Sequence, residues 1–164
     1  MSRATNLTVA ALVGALTIGA ATVGHAQQPK MDEITVTISR VMATSKIDQL
    51  SRADFFARVT IAGETFTTVH IPNRDVIRPN WTFKKKVPRG THDIKLAIFD
   101  RDVTKEEIID INRVRGKKDL DFKVNTANCL VLGFATPTRC GTPVTRAGVE
   151  GKRAQVTFSV SVKR

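Results

Sequence analysis

Carboxylates are the side chains of this sequence with most chemistry to offer. The stretch AIFDRDVTKEEIID, residues 97–110, opens as a hydrophobic strand and then places Asp100, Asp102, Glu106, Glu107 and Asp110 in quick succession, in a chain of net charge +11. Asp is among the commonest turn residues, so such a run suits a solvated turn. It also suits half of a cation site, because gathered carboxylates repel and raise one another's pKa unless a cation joins them. Catalysis is a poorer use. Beyond His25 the chain has only His70 and His92, it has no Gly-x-Ser-x-Gly elbow, and no nucleophile stands beside a base. Paired carboxylates can hydrolyse glycosides, but these loops suit cation ligation better, and the expectation is a protein that is not an enzyme.

The elements that must position these acids begin after residue 26. Arg3 leads into the run LTVAALVGALTIGAATVG and then Gly24-His25-Ala26-Gln27, the order of a secretory signal peptide cleaved after Ala26. An uncleaved membrane anchor is the alternative, since the run approaches the roughly 20 residues that span a bilayer. Removal makes the protein exported, periplasmic or secreted, and residues 27–164 have the length of one domain. Cleavage removes a single positive charge, so the mature chain stays strongly basic. That balance suits an anionic membrane surface or an acidic polymer, or serves only solubility. Export makes nucleic acid the poorest partner. Cys129 and Cys140, even in number in an oxidising compartment, read as one disulfide closing a short loop. Zinc would need two more ligands, and the histidines lie far away in sequence.

Alternation organises the rest. Ala154, Val156, Phe158, Val160 and Val162 take turns with polar residues, which predicts a strand with one buried face. The same period marks strands around 34–38, 55–61, 94–98 and 120–124, with shorter ones at 64–71, 81–87 and 129–133. Turn signals separate them at Ala62-Gly63, Pro88-Arg89-Gly90 and 125–128. About eight strands and no helix long enough to cover a sheet predict an antiparallel β-sandwich. A helical turn at 105–109, capped by Thr104, would be an ornament on a loop. Trp81 reads as core, and Lys84-Lys85-Lys86 as a solvated strand edge or a binding patch.

Three motifs along Glu33 to Val124 resemble a C2 domain, the calcium- and lipid-binding β-sandwich. IDQLSRADFFARVTI sets Asp48 six residues before Asp54, and Asp54-Phe55-Phe56 opens a strand. Arg78-Pro79-Asn80-Trp81-Thr82-Phe83 is similar to the family's Asn-Pro-x-Trp segment, though shorter. Ile98-Phe99-Asp100-Arg101-Asp102 matches its strand ending in an aromatic and Asp-x-Asp. Glu107 before Ile108-Ile109 stands where the family places another aspartate. Because the first strong strand leads directly into the first acidic loop and a strong strand closes the chain, the resemblance implies the permuted, phospholipase-like topology. It also implies that the two acidic loops leave the sandwich at one end, with Asp48, Asp54, Asp100, Asp102 and Glu107 as ligands of calcium, a cation that takes about 6 to 8 oxygens. Lys46, Arg52, Arg101 and Lys105 stand beside these loops, either pairing with the carboxylates or facing anionic headgroups. Leu50 and Val103 alone offer apolar loop tips, so shallow electrostatic docking is expected. The implied function is a calcium-dependent module docking on an anionic membrane or polymer. The alternative is a structural or protein-interaction sandwich, metal-free or permanently calcium-loaded.

Overall fold

The computed structural model describes residues 29–48, 51–102 and 105–164. The segment expected to be a signal peptide, the expected loop tips Leu50 and Val103, and Thr104, the expected cap, lie outside the described residues. Two antiparallel sheets form a sandwich. In the first, β1 (Met31–Ala43) lies beside β12 (Ala154–Lys163), which pairs in turn with β11 (Val144–Ala147). The other edge of β1 takes β4 (Val76–Ile77) and β5 (Trp81–Pro88). The second runs β10 (Thr138–Arg139), β9 (Leu130–Leu132), β8 (Leu120–Asn125), β6 (Thr91–Arg101), β2 (Phe55–Ile61), β3 (Glu64–Thr67), with β7 (Glu106–Ile109) continuing the row of β8 along β6.

The alternation produces the core directly. Ile34, Val36, Ile38 and Val41 of β1, beside Val156, Phe158 and Val160 of the paired strand β12, share one buried cluster with Ile94, Leu96 and Ile98 of β6 in the other sheet. The inward row of β1 skips from Ile38 to Val41 because the register with β12 shifts between Ile38 and Arg40, a bulge that restores the apolar face after one extra residue. β1 leads straight into the first acidic loop and pairs with the closing strand β12, the chain order that the resemblance implied.

Four strands among the described residues exceed the eight expected: β4, β7, β10 and β11. The helical turn expected at 105–109 is instead strand β7, because Ile109 and Ile108 register with Ile98 and Phe99 of β6; sheet pairing overrides the local helix propensity of the glutamates. The strand expected over 64–71 ends at Thr67, with only a single bridge from Ile71 back to Phe55. Cys129 and Cys140 do form the disulfide, tying β9 to β10 with Cα atoms 5.3 Å apart. Trp81 packs against the core while partly exposed.

Several connections meet at one end. Ala43 pairs with Ala154, and the amide of Thr44 donates to the Arg153 carbonyl. Phe55 pairs with Asp100, and the amide of Arg101 donates to the Asp54 carbonyl. The amides of Ala43 and Arg74 donate to the carbonyls of Asp75 and Ala53.

Candidate cation site and docking end

Asp100 closes the inward row Ile94, Leu96, Ile98 of β6, which carries its carboxylate between the sheets and leaves the residue only 1% exposed. Its Oδ1 accepts the amide of Asp54 at 2.7 Å, and its Oδ2 is buried with no hydrogen-bond partner. Burial pushes this carboxyl up from its ordinary value, and the charges of Asp102 and Asp54 add to that. The Asp54 amide and the charge of Lys152 oppose it. Asp54 opens β2, where its Oδ1 accepts the Asn73 amide at 2.6 Å. The amide of Asp102 donates to the Lys105 carbonyl at 2.9 Å. Asp54 and Asp100 are therefore joined directly by a backbone hydrogen bond, and Asp102 follows Asp100 two residues along the same strand end.

Glu107 lies opposite Asp100 in the β6–β7 register, yet its carboxylate is ion-paired with both Lys105 and Lys152. The hydrogen bonds of Lys105 and Lys152 hold it at about 2. Lys152 itself is held above its ordinary value: burial opposes its charge, but Glu107, Asp102 and Asp100 outweigh that. Asp48 accepts a hydrogen bond from Ser51. Among the described residues no three His, Cys, Asp or Glu side chains are grouped to hold a metal as they stand. Carboxylate oxygens are the donors that a hard cation of the calcium type takes, and the unpartnered Oδ2 of Asp100 is one such donor. Glu107 does not fit as a further ligand while two ammonium groups neutralise it.

Of the basic residues expected here, Lys46 and Arg101 are exposed, Arg52 pairs with Asp75 at 3.3 Å, and Lys105 pairs with Glu107. Lys85 of the lysine run turns inward to the Ala62 carbonyl at 2.9 Å and to Glu64 at 3.4 Å, so only Lys84 and Lys86 face solvent.

Sequence reasoning missed Lys152 and a second basic group, Arg113, Arg115, Lys117 and Lys118, all exposed in the β7–β8 connection. The NRVRGKK composition signalled that group; nothing local signalled Lys152. It also missed exposed apolar side chains: Val69 is 82% exposed, and Val76, Val114 and Val149 are exposed too. Val76 pairs with Met42 near the end of β1. The Val149 amide is fixed by Asp110, as is that of Glu150, and Glu150 accepts the amide of Gly116 near Val114.

No family profile and no curated protein matches the chain. Solved structures do match. A C2 domain of plant Extended Synaptotagmin 1 superposes with a TM-score of 0.57 at 13% identity, covering 84% of this chain and 97% of that one. The fold is that of a C2 domain. The calcium-bound pair of C2 domains from Extended-Synaptotagmin 2 gives 0.55 at 11% identity, covering 82% of this chain and 46% of that one. Human GIVD cytosolic phospholipase A2 gives 0.51 at 15% identity and 80% of this chain, which spans only 17% of the phospholipase. The C2 fold accounts for the sandwich and for the meeting of the acidic loops.

Proposed function

We propose that this protein is an exported, non-enzymatic C2-type module that binds calcium through Asp54, Asp100 and Asp102 and docks its loop end on an anionic surface, a membrane or an acidic polymer. The observation that carries the reading is the buried Asp100 Oδ2, unpartnered beside two further aspartates, in a chain whose neighbouring connections expose Lys46, Arg101, Arg113 and Lys117. A cation there removes the repulsion between the carboxylates. The surrounding cations attract anionic lipid at about 1 kcal/mol each near a surface, and the exposed valines add shallow apolar contact. Asp48 is the next candidate ligand, and Glu107 joins only where Lys152 releases it. That one solved structure of this fold, from Extended-Synaptotagmin 2, is calcium bound supports the choice of ion.

Sedimentation with phosphatidylserine vesicles tests this. Binding in millimolar calcium should exceed binding in chelator, and Asp100→Asn should abolish the difference. Equal binding of the natural protein under both conditions removes the calcium-dependent part. Export is tested separately by sequencing the amino terminus of the protein recovered outside the cytoplasm, which should begin at Gln27.

One observation favours a second reading. Lys152 already presents an ammonium to Glu107, Asp102 and Asp100, a built-in counter-ion for a metal-free interaction sandwich. Under that reading vesicle or partner binding is indifferent to calcium, and Lys152→Met makes it calcium-responsive.

A further inference from the structure

A cleft of about 370 Å3, with none of Asp54, Asp100 and Asp102 in its walls, is lined by Arg113, Val114 and Lys117 on one side, Leu120 and Phe134 on its floor and Arg146 opposite. Its size lies within the range of small-molecule sites. Arg146, half-buried, shares the inward side of β11 with the buried Val144 and among the described residues has no carboxylate partner there, although charged residues on an inward face are ordinarily paired. Among the described residues none of Arg146, Arg113 and Lys117 makes an ion pair, whereas the neighbouring Arg115 lies 3.9 Å from Glu150. Burial and then the charge of Arg113 press the Arg146 guanidinium below its ordinary pKa. Asp121 stands at the rim, but it is exposed and lies opposite Lys95 across the β6–β8 pairing.

The geometry is fixed rather than incidental. The Arg146 guanidinium lies 4.2 Å from the centre of the Phe134 ring, and its Nη1 donates to the Thr145 carbonyl at 2.8 Å. Phe134 packs on Phe122 and Phe158 of the core, at 5.4 and 6.2 Å between ring centres. On the facing wall, Asp110 accepts the amides of Asn112, Val149 and Glu150, and Glu150 accepts the amide of Gly116 at 2.8 Å. Both walls are thus anchored to backbone.

We propose that this cleft binds a phosphate monoester, its phosphate held by Arg146, Arg113 and Lys117 and its apolar substituent laid on Phe134 and Leu120. Two planar guanidinium forks and an ammonium match a tetrahedral anion carrying a charge of about −1.5 to −2 at neutral pH better than they match a carboxylate. The phosphate supplies the counter-charge that the protein withholds from Arg146, and the aromatic floor supplies a face for an apolar group. The ester is a soluble metabolite or a lipid headgroup of the phosphatidate type.

Calorimetric titration of the protein with phenyl phosphate, inorganic phosphate and dimethyl phosphate tests the assignment, with amide shifts of Gly116 and Gly133 as a local readout. Phenyl phosphate should bind at least tenfold more tightly than either comparison compound. Arg146→Gln and Arg113→Gln should each weaken it about tenfold, Phe134→Leu should erase its advantage over inorganic phosphate, and Lys84→Gln, an equal charge loss elsewhere, should change nothing. Arg113 is exposed, so its variant folds whatever Arg146→Gln does. No saturable shift up to about 10 mM, or equal affinity in both arginine variants and the natural protein, overturns the proposal while leaving calcium-dependent docking at the acidic loops intact. Phosphatidate vesicles preferred over phosphatidylserine vesicles of equal charge, with the preference lost in Arg146→Gln, support the site and identify the lipid source. Phenyl phosphate binding without that preference supports the site and identifies the soluble one.

Discussion

Replacing Asp100 by Asn should stabilise the protein in chelator and destabilise it in calcium. The natural side chain buries a carboxylate that satisfies one oxygen through the Asp54 amide and leaves the other without a partner. Asn keeps one oxygen for the Asp54 amide and still buries a partnerless polar group, so what the substitution relieves is the charge: a buried unpaired charge costs more than a buried unpaired neutral group, by about 1–3 kcal/mol. The distant attraction of Lys152 offsets part of that, so a gain of about 1 kcal/mol is expected for Asp100→Asn without metal. For a domain of this size that raises Tm by roughly 4 °C. Because burial raises the Asp100 pKa above its ordinary 3.8, the penalty exists only where the group is ionised in the folded state. The gap between variant and natural protein should therefore narrow as pH falls through the raised value and close below 3.8. Calcium at ten times its dissociation constant stabilises the natural protein by about 1.4 kcal/mol, while the variant loses its central ligand, so the order reverses. Thermal unfolding of both proteins in chelator and in millimolar calcium, at pH 7 and pH 4, reads all of this. Asp100→Asn less stable than the natural protein in chelator at pH 7 would refute the reasoning, since it would show the carboxylate to be fully compensated.

Three other perturbations follow from contacts already described. Glu107 is held at about 2 against an ordinary 4.5, so its ion pairs with Lys105 and Lys152 stabilise the fold fully above about 4.5 and lose that effect as pH falls toward 2; acid unfolding of Glu107→Gln should lack this part of the pH slope. A Cβ on Gly148 would stand 2.5 Å from the Asp110 carbonyl carbon and nearer still to its oxygen, and backbone cannot yield as a side-chain tip can, so Gly148→Ala should cost about 3 kcal/mol in urea unfolding. Reducing Cys129–Cys140, which are 11 residues apart, should lower stability by about 3 kcal/mol in the loop-entropy account, measured by unfolding with and without reductant.

The sandwich was legible because period-two alternation is a local property that survives any pairing partner, as in Ala154 to Val162. Even the bulge of β1 is written in the spacing from Ile38 to Val41. β7 was not legible, because Glu106-Glu107-Ile108-Ile109 is compatible with a helical turn until β6 offers it hydrogen bonds. The acidic site was half legible for a similar reason. That Asp54 and Asp100 come together depends on the β2–β6 pairing, which the motif resemblance anticipated. That Glu107 is claimed by an ammonium depends on Lys152, distant along the chain and delivered by the turn before β12, and no motif records it. The pairing of Lys105 with Glu107, two residues apart, was by contrast within reach of local reasoning.

Two buried aspartates on this one stretch separate scaffold from site. Asp110 is 1% exposed, and its carboxylate accepts three amides, from Asn112, Val149 and Glu150. Its own amide and carbonyl are used by Lys152 and Ala154, and Gly148 gives it room that no larger residue could leave. Every polar atom has a partner, so this residue ties the β7–β8 connection to the turn before β12 and has nothing left to offer a ligand. Asp100 is equally buried yet accepts one amide and leaves one oxygen unpaired. A fold that satisfies one carboxylate completely can satisfy another a few residues away, so the incomplete one is where an added cation gains most. The tether that Asp110 provides through the Lys152 carbonyl also carries Lys152 toward Asp100 and Glu107, so the fully satisfied aspartate helps to place the cation that faces the incompletely satisfied one.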